Sequence, residues 1–219
     1  MTDKIVIIGT GLAGYNLARE VRKRDKSVAL TLITRDDGEF YSKPMLSNAL
    51  AKQKSPDELA MSDADKMRAE LTATILIRTR VSAIDPAQRL VTLEHGDPVS
   101  YTKLVLATGA EPITQPFTPD VSELIYVVNN LEDYRRFRDA IRDKERVAII
   151  GPGLIGCEFA NDLTSAGYAV QVIGPDSAPL GRLLPDAAGR LLQKRLAELG
   201  VGWHPVSYTH LTLPTKRIV

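Results

Sequence analysis

Two glycine-rich stretches hold the residues whose types and spacing point most directly to chemistry. Ile7-Ile8-Gly9-Thr10-Gly11-Leu12-Ala13-Gly14 and Ile149-Ile150-Gly151-Pro152-Gly153-Leu154-Ile155-Gly156 each space three glycines as G-x-G-x-x-G after an apolar run. In such a stretch the first glycine makes the tight turn at a strand end, and the second lets the backbone approach a pyrophosphate. The third lets the following helix pack on the strand. The unpaired N–H groups and positive dipole end of that helix then face the phosphate charge. One copy decides little, because glycine turns between strand and helix also arise for packing alone. Two copies predict two dinucleotide sites in one chain, which is what passing a hydride between two bound cofactors requires.

An acid at the end of the second strand ordinarily holds the adenine ribose. The two strand ends here read Ile33-Thr34-Arg35-Asp36-Asp37 and Ile173-Gly174-Pro175-Asp176, with no acid in that place. Thr34 could donate to the ribose, and Asp36 or Asp176 could reach back, so NADH and NADPH both stay open. The single cysteine, Cys157, excludes an intramolecular disulfide and a four-cysteine iron–sulfur site within these residues. Thiols near helix N-termini can be acidified, but Cys157 reads more simply as a small apolar filler. No Cys-x-x-Cys occurs, which argues against a disulfide-reducing role. His95, His204 and His210 are scattered, so no metal is expected. Arg135, Arg136 and Arg138 read as a solvated helix face.

The elements that must position these residues follow from periodicity. Lys4 to Gly9 reads as a buried parallel strand, Leu12 to about Lys23 as a helix with Leu12, Leu17, Ala18 and Val21 on one side, and Val28 to Thr34 as the next strand. Asp36 to Pro56 is a polar, turn-rich loop long enough to be functional. Leu59 to Leu71 is predicted helical and Thr74 to Arg78 a strand. Val81 to Asp85, Leu90 to Glu94 and Val99 to Thr102, separated by turn residues, predict a small antiparallel meander. Lys103 to Ala107 is a buried strand before Thr108-Gly109, and Pro112, Pro116 and Pro119 mark a linker. Asn130 then caps a helix carrying Tyr134, Phe137 and Ile141. The second βαβ unit runs from Arg146 through a helix at Leu154 to Ala166, with Ile155, Phe159 and Leu163 on one side and Gly167 as its C-terminal stop. Val170 to Ile173, a helix at Ala187 to Leu199, and a strand from Val201 to His204 complete the pattern.

The predicted fold class is therefore α/β, with two Rossmann-like domains built on parallel sheets and a small meander inserted in the first. At 219 residues, 44% of them apolar, the chain can fill two modest cores. A net charge of +1 gives no bulk field for nucleic acid or an anionic membrane. No run approaches the roughly 18 apolar residues of a membrane span, and a cytoplasmic location is expected.

Both fingerprints, together with Leu106-Ala107-Thr108-Gly109-Ala110-Glu111-Pro112, Tyr41-Ser42-Lys43-Pro44-Met45-Leu46-Ser47 and the helix Gly153 to Leu163, resemble the two-dinucleotide flavoprotein reductases, and among them the bacterial rubredoxin-reducing group. The resemblance implies a domain at 1–112 that binds FAD and a domain at 113–205 that binds the nicotinamide dinucleotide. It implies that Gly9, Gly11, Leu12, Ala13 and Gly14 meet the FAD pyrophosphate, with Thr34, Arg35, Val81, Ala107, Thr108 and Gly109 around the same cofactor. Lys43 and Pro44 would lie near the flavin, where a cation favours the reduced, anionic ring. Gly151, Gly153, Leu154, Ile155, Gly156 and Asp176 would hold the nicotinamide dinucleotide, and Glu158 would orient its ring. The implied activity is hydride transfer from NAD(P)H to FAD, then single-electron transfer to rubredoxin. A ferredoxin reductase, a nitrite- or peroxide-reducing flavoprotein, and a non-catalytic NADH-sensing module are the alternatives. The resemblance also implies that the chain is an N-terminal portion, and 206–219, which continues no pattern, reads as a non-native tail.

Overall fold

A computed structural model of the chain describes residues 3–113 and 123–205. Pro116, Pro119, His210 and the tail at 206–219 lie outside the described residues. Contacts divide the chain into one unit of Met1–Lys43 with Asp57–Leu131 and a second of Pro44–Pro56 with Glu132–Val219.

In the first unit, β1 (Lys4–Ile8), β2 (Ala29–Ile33), β5 (Thr74–Leu76) and β9 (Lys103–Leu106) form a parallel sheet in the order β5-β2-β1-β9. From Ile5 on, strand β1 is apolar because both of its faces are covered. Ile7 joins a cluster with Tyr15, Ala18, Leu32, Met67 and Leu71. Those partners come from α1 (Leu12–Arg24), β2 and α2 (Ala64–Leu71). Val6 and Ile8 pack instead with Ile33, Val91 and Leu93. Val91 and Leu93 belong to the antiparallel meander of β6 (Val81–Asp85), β7 (Leu90–Leu93) and β8 (Val99–Ser100), which covers that side.

Three expectations for this unit need correction: the strand expected to be buried at Lys103 to Ala107 is β9, at the edge of the described sheet with Leu106 64% exposed. The stretch predicted helical from Leu59 begins as β4 (Ala60–Ser62), paired antiparallel with β3 (Phe40–Tyr41), and only then becomes helix. The Asp63 carboxylate accepts from the Lys66 N–H at 2.8 Å and fixes the helix start there. On α1 the buried face is Gly14, Tyr15 and Ala18, whereas Leu17 is exposed. Tyr15 takes the core position because its ring packs edge-on against Phe40 while its hydroxyl donates to the Gly38 carbonyl at 2.5 Å.

In the second unit, β10 (Arg146–Ile150), β11 (Ala169–Gly174) and β12 (Gly202–Pro205) pair in parallel in that order. Helices α3 (Leu131–Ile141), α4 (Leu154–Ser165) and α5 (Asp186–Glu198) complete the unit. Helix α4 buries Cys157, Ala160, Asp162 and Leu163, while Ile155 is 61% exposed. The expected Ile155-Phe159-Leu163 stripe is thus rotated: spacing by three through Cys157, Ala160 and Leu163 sets the inner face. Gly167 ends α4 as expected, with φ +97° and its N–H on the Thr164 carbonyl. Arg138 is no merely solvated side chain, since its guanidinium donates to the Lys54 carbonyl at 2.9 Å and to the Tyr134 hydroxyl. Among the described residues, no helix is long and apolar enough to cross a membrane.

The segment 44–56 therefore lies between β3 and β4 in sequence but packs with the second unit.

Candidate functional site

At the first fingerprint, Gly9 leaves β1 with its N–H on the Ile33 carbonyl of β2, while the Ala107 N–H beyond β9 donates to the Ile8 carbonyl, both at 2.8 Å. The turn thus opens where the chain departs to opposite sides of the sheet, which is where ligands bind in open α/β sheets. Gly9 has φ +112°, and a Cβ there would lie 2.1 Å from the Ala107 carbonyl oxygen, so no other residue fits. A Cβ on Gly14 would lie 2.0 Å from the Gly9 oxygen, which shows how closely α1 packs on the turn. Gly11 differs, because a Cβ there meets nothing within 4 Å. That open space at the helix N-terminus leaves room for a pyrophosphate.

The second fingerprint repeats the turn and the helix packing within its own unit, but a Cβ on Gly151, at φ +109°, would meet nothing within 4 Å, unlike one on Gly9. The Gly151 N–H bonds the Ile173 carbonyl at 2.8 Å, a Cβ on Gly156 would lie 2.0 Å from the Gly151 oxygen, and Gly153 again faces open space. Helices α1 and α4 also share a property at their starts: neither has a side-chain cap or an acidic residue in its first turn. The other helices carry acids there, Asp65 in α2, Glu132 and Asp133 in α3, and Asp186 in α5. Among the described helices, these two alone lack both features, so their first N–H groups and positive dipole ends face no acid of the chain's own first turn. Ala13, Leu154 and Ile155 are exposed on these turns, and Leu12 is partly buried. The residues present fit two dinucleotide phosphates.

The strand ends explain the missing acids. Thr34 is 6% exposed, and its hydroxyl donates to Asp36 Oδ1 at 2.6 Å. The same oxygen accepts from the Thr10 hydroxyl at 3.3 Å and the Gly38 N–H at 3.0 Å. Asp36 is thereby tied to the glycine turn itself. Arg35 pairs with Glu111, both exposed. Beside it, Arg78, Arg80 and His95 line a cleft with Arg35 that sequence reasoning missed, because β5 and the meander bring them together only in three dimensions. Val81 begins β6 next to this cleft, and Thr108 and Gly109 are exposed past β9, with Gly109 at φ +71°.

In the second unit, Gly174 occupies the place of Thr34. A Cβ there would fall 2.2 Å from Pro152 Cδ, so the proline of the fingerprint fills the space a side chain would need. Asp176, two residues on, lines a hollow with Gly174, Ser177, Trp203 and His204. The buried Trp203 Nε1 finds no acceptor among the described residues. No sequence signal singled out this tryptophan.

Lys43 is exposed and donates to Asn129 Oδ1 at 2.6 Å, while the Asn129 amide donates to the Ala110 carbonyl at 3.1 Å. Pro44 is exposed at the start of the segment that packs with the second unit. Glu158 on α4 is exposed, yet its Oε2 accepts the Ser47 hydroxyl at 2.5 Å. One turn later Asp162, 1% exposed, accepts the Leu50 N–H at 3.0 Å and the Ala51 N–H at 2.8 Å. These two carboxylates hold segment 44–56 on α4. Next to Glu158 on α4, Cys157 is a buried filler whose Sγ lies 3.6 Å from the Pro152 carbonyl oxygen. Burial pushes its thiol above the ordinary range, and the Glu158 charge adds to the shift. Among the described residues, no group of three or more His, Cys, Asp or Glu could hold a metal ion.

Comparison with known proteins agrees with this geometry. The family model described as pyridine nucleotide-disulphide oxidoreductase matches residues 3–209. The chain is 44% identical over 200 residues to a rubredoxin-NAD(+) reductase of Alcanivorax borkumensis, covering 91% of this chain and 52% of the relative. It is 48% identical over 202 residues to one from Acinetobacter baylyi, covering 90% and 51%. The solved NADH:rubredoxin oxidoreductase of Clostridium acetobutylicum superposes with a TM-score of 0.81 at 27% identity, over 96% of this chain and 55% of that one. The chain spans about half the length of the curated relatives it matches.

Proposed function

Because the chain belongs to the pyridine nucleotide-disulphide oxidoreductase family, we propose that the protein carrying it is an FAD-dependent reductase that takes electrons from NADH and delivers them to a small iron protein, rubredoxin. The single observation that carries this reading is the pair of open glycine cradles at uncapped helix ends. A second dinucleotide site has no use in a simple dehydrogenase. We assign FAD to residues 1–112, the nicotinamide dinucleotide to 113–205, and the protein to the cytoplasm.

When bound, FAD supplies the change from two-electron to one-electron chemistry. The residues of this chain bind and orient. Gly9, Gly11, Leu12, Ala13 and Gly14 hold the FAD pyrophosphate, with Ala107, Thr108 and Gly109 bordering the turn. Asp36, held by Thr34 and Thr10, offers its remaining oxygen to the adenosine ribose, and Arg35 and Val81 border the adenosine end. Lys43, with Pro44 fixing the backbone after it, supplies a positive charge toward the flavin ring. Gly151, Gly153, Leu154, Ile155 and Gly156 take the NADH pyrophosphate. With Pro152 against Gly174, ribose recognition passes to Asp176, whose charge favours a free 2′-hydroxyl over a 2′-phosphate. Glu158 accepts a hydrogen bond from the nicotinamide carboxamide and so orients the ring.

The test uses the full-length protein reconstituted with FAD and mixed anaerobically with NADH. The yellow flavin absorbance bleaches if the reading is right, and persistence of that absorbance refutes it. Stopped-flow transfer from the reduced protein to purified rubredoxin, compared with ferredoxin, then tests the acceptor. Faster reduction of ferredoxin would replace rubredoxin as the partner.

A further inference from the structure

We propose that Ser47 is a positioning residue for Glu158: its hydroxyl holds the Glu158 carboxylate in one orientation, and the Asp162 clamp keeps Ser47 in place. This rests on the reading of Glu158 as the group that orients the nicotinamide.

Ser47 closes a 3-10 turn at Lys43–Ser47 and is 5% exposed. Its one hydroxyl proton has two acceptors in reach, Glu158 Oε2 at 2.5 Å and the Pro44 carbonyl at 3.2 Å. The shorter contact and the charged acceptor both direct the proton to Glu158. The other carboxylate oxygen, Oε1, remains to accept from a ligand. Glu158 itself is exposed, and an exposed glutamate samples many rotamers, a freedom lost when a ligand binds. The bond from a buried hydroxyl removes that freedom during folding, so less is lost at binding.

Ser47 can do this because its own backbone is fixed. Three and four residues on, the N–H groups of Leu50 and Ala51 are held by the buried Asp162, one helical turn after Glu158. Ser47 thus meets Glu158 while Leu50 and Ala51 meet Asp162, so that the segment runs along α4 in register with its turns. The Asn48 amide on the Pro44 carbonyl at 3.0 Å tightens the intervening turn.

The experiment is a mutant cycle in the full-length, FAD-loaded protein, read by anaerobic stopped-flow reduction with NADH. Ser47→Ala should weaken the apparent NADH affinity about tenfold, the effect of one charge-assisted hydrogen bond. The limiting rate should change less than about twofold, because the bond acts on orientation before hydride transfer. Ser47→Thr, which keeps the hydroxyl, should recover most of the affinity. In a Glu158→Ala background Ser47→Ala should add nothing, since no carboxylate remains to orient. Wild-type affinity in Ser47→Ala, no recovery in Ser47→Thr, or an undiminished loss in the Glu158→Ala background would each overturn the positioning role while leaving Glu158 intact. If Glu158→Ala alone leaves the NADH kinetics unchanged, the assignment of Glu158 itself falls, and the role of Ser47 with it.

Discussion

Removing the Asp162 carboxylate should loosen segment 44–56 without unfolding the rest of its unit. Asp162 is 1% exposed and accepts two backbone N–H groups, from Leu50 at 3.0 Å and Ala51 at 2.8 Å. A hydrogen bond to a charged acceptor contributes about 1.5–3 kcal/mol. The two bonds close the same short segment and do not add in full, so Asp162→Ala should cost about 3 kcal/mol locally. That corresponds to roughly a hundredfold increase in the opening of the segment. Hydrogen–deuterium exchange of a peptide covering residues 48–52 reads this directly, because the two amides lose their acceptor. Asp162→Asn should fall between, since its oxygen can serve one amide while its NH2 group faces the other. Asp139→Ala, which removes an exposed partner of Arg142, is the control and should leave that peptide unchanged. If the 48–52 amides exchange at the parent rate in Asp162→Ala, the clamp does not hold the segment and the reasoning is wrong.

Four further outcomes are expected. Gly11→Ala should fold normally, since its Cβ meets nothing within 4 Å, yet weaken FAD binding at least tenfold by filling the cradle; Gly14→Ala, 2.0 Å from the Gly9 oxygen, should instead lower the melting temperature, and equal melting temperatures for the two would contradict the packing. Cys157, its thiol pushed up by burial, should react slowly with a disulfide reagent at pH 7, and rapid labelling there would count against a buried filler. Because the folded thiol holds its proton to higher pH than the unfolded one, its contribution to stability is intact below the unfolded value and declines as pH rises past it; Cys157→Ala should cost a constant amount of packing at neutral pH, and the gap between its urea midpoint and the parent's should change with pH only in that alkaline window. Tyr15→Phe strands the Gly38 carbonyl and should cost about 1–2 kcal/mol in urea unfolding, and a neutral result would mean water replaces the hydroxyl.

What the sequence makes legible is what short spacing determines. Gly9, Gly11 and Gly14 act within one turn, so their order alone reveals the strand end, the open space at Gly11 and the close helix contact at Gly14. The parallel strands β1 and β10, rich in Ile and Val, and the meander, broken by Pro and Gly turns, are readable for the same reason. What escapes is set by distant partners. The stretch before Asp63 has helical composition, but Phe40 and Tyr41 draw Ala60–Ser62 into a strand. The inner face of α4 is chosen by the small residues Cys157 and Ala160 that fit the sheet, so the bulkier Ile155 turns outward. Asp162 looks like any polar helix residue until Leu50 and Ala51 arrive from elsewhere in the chain. Pro152 and Gly174 exclude a strand-end acid through a contact that no local pattern encodes.

The excursion of 44–56 to the second unit bears on how the chain matures on the ribosome. Ser47 and Glu158 are separated by 111 positions, which at about 5–20 residues per second leaves the segment without its anchor for roughly 6–22 s of synthesis. During that interval its apolar Leu46, Ala49 and Leu50, all buried in the finished protein, lack the unit into which the segment folds. No single cut in the polypeptide separates the two units cleanly either: severing it after Leu131 leaves 44–56 with the first fragment and its partner α4 with the second.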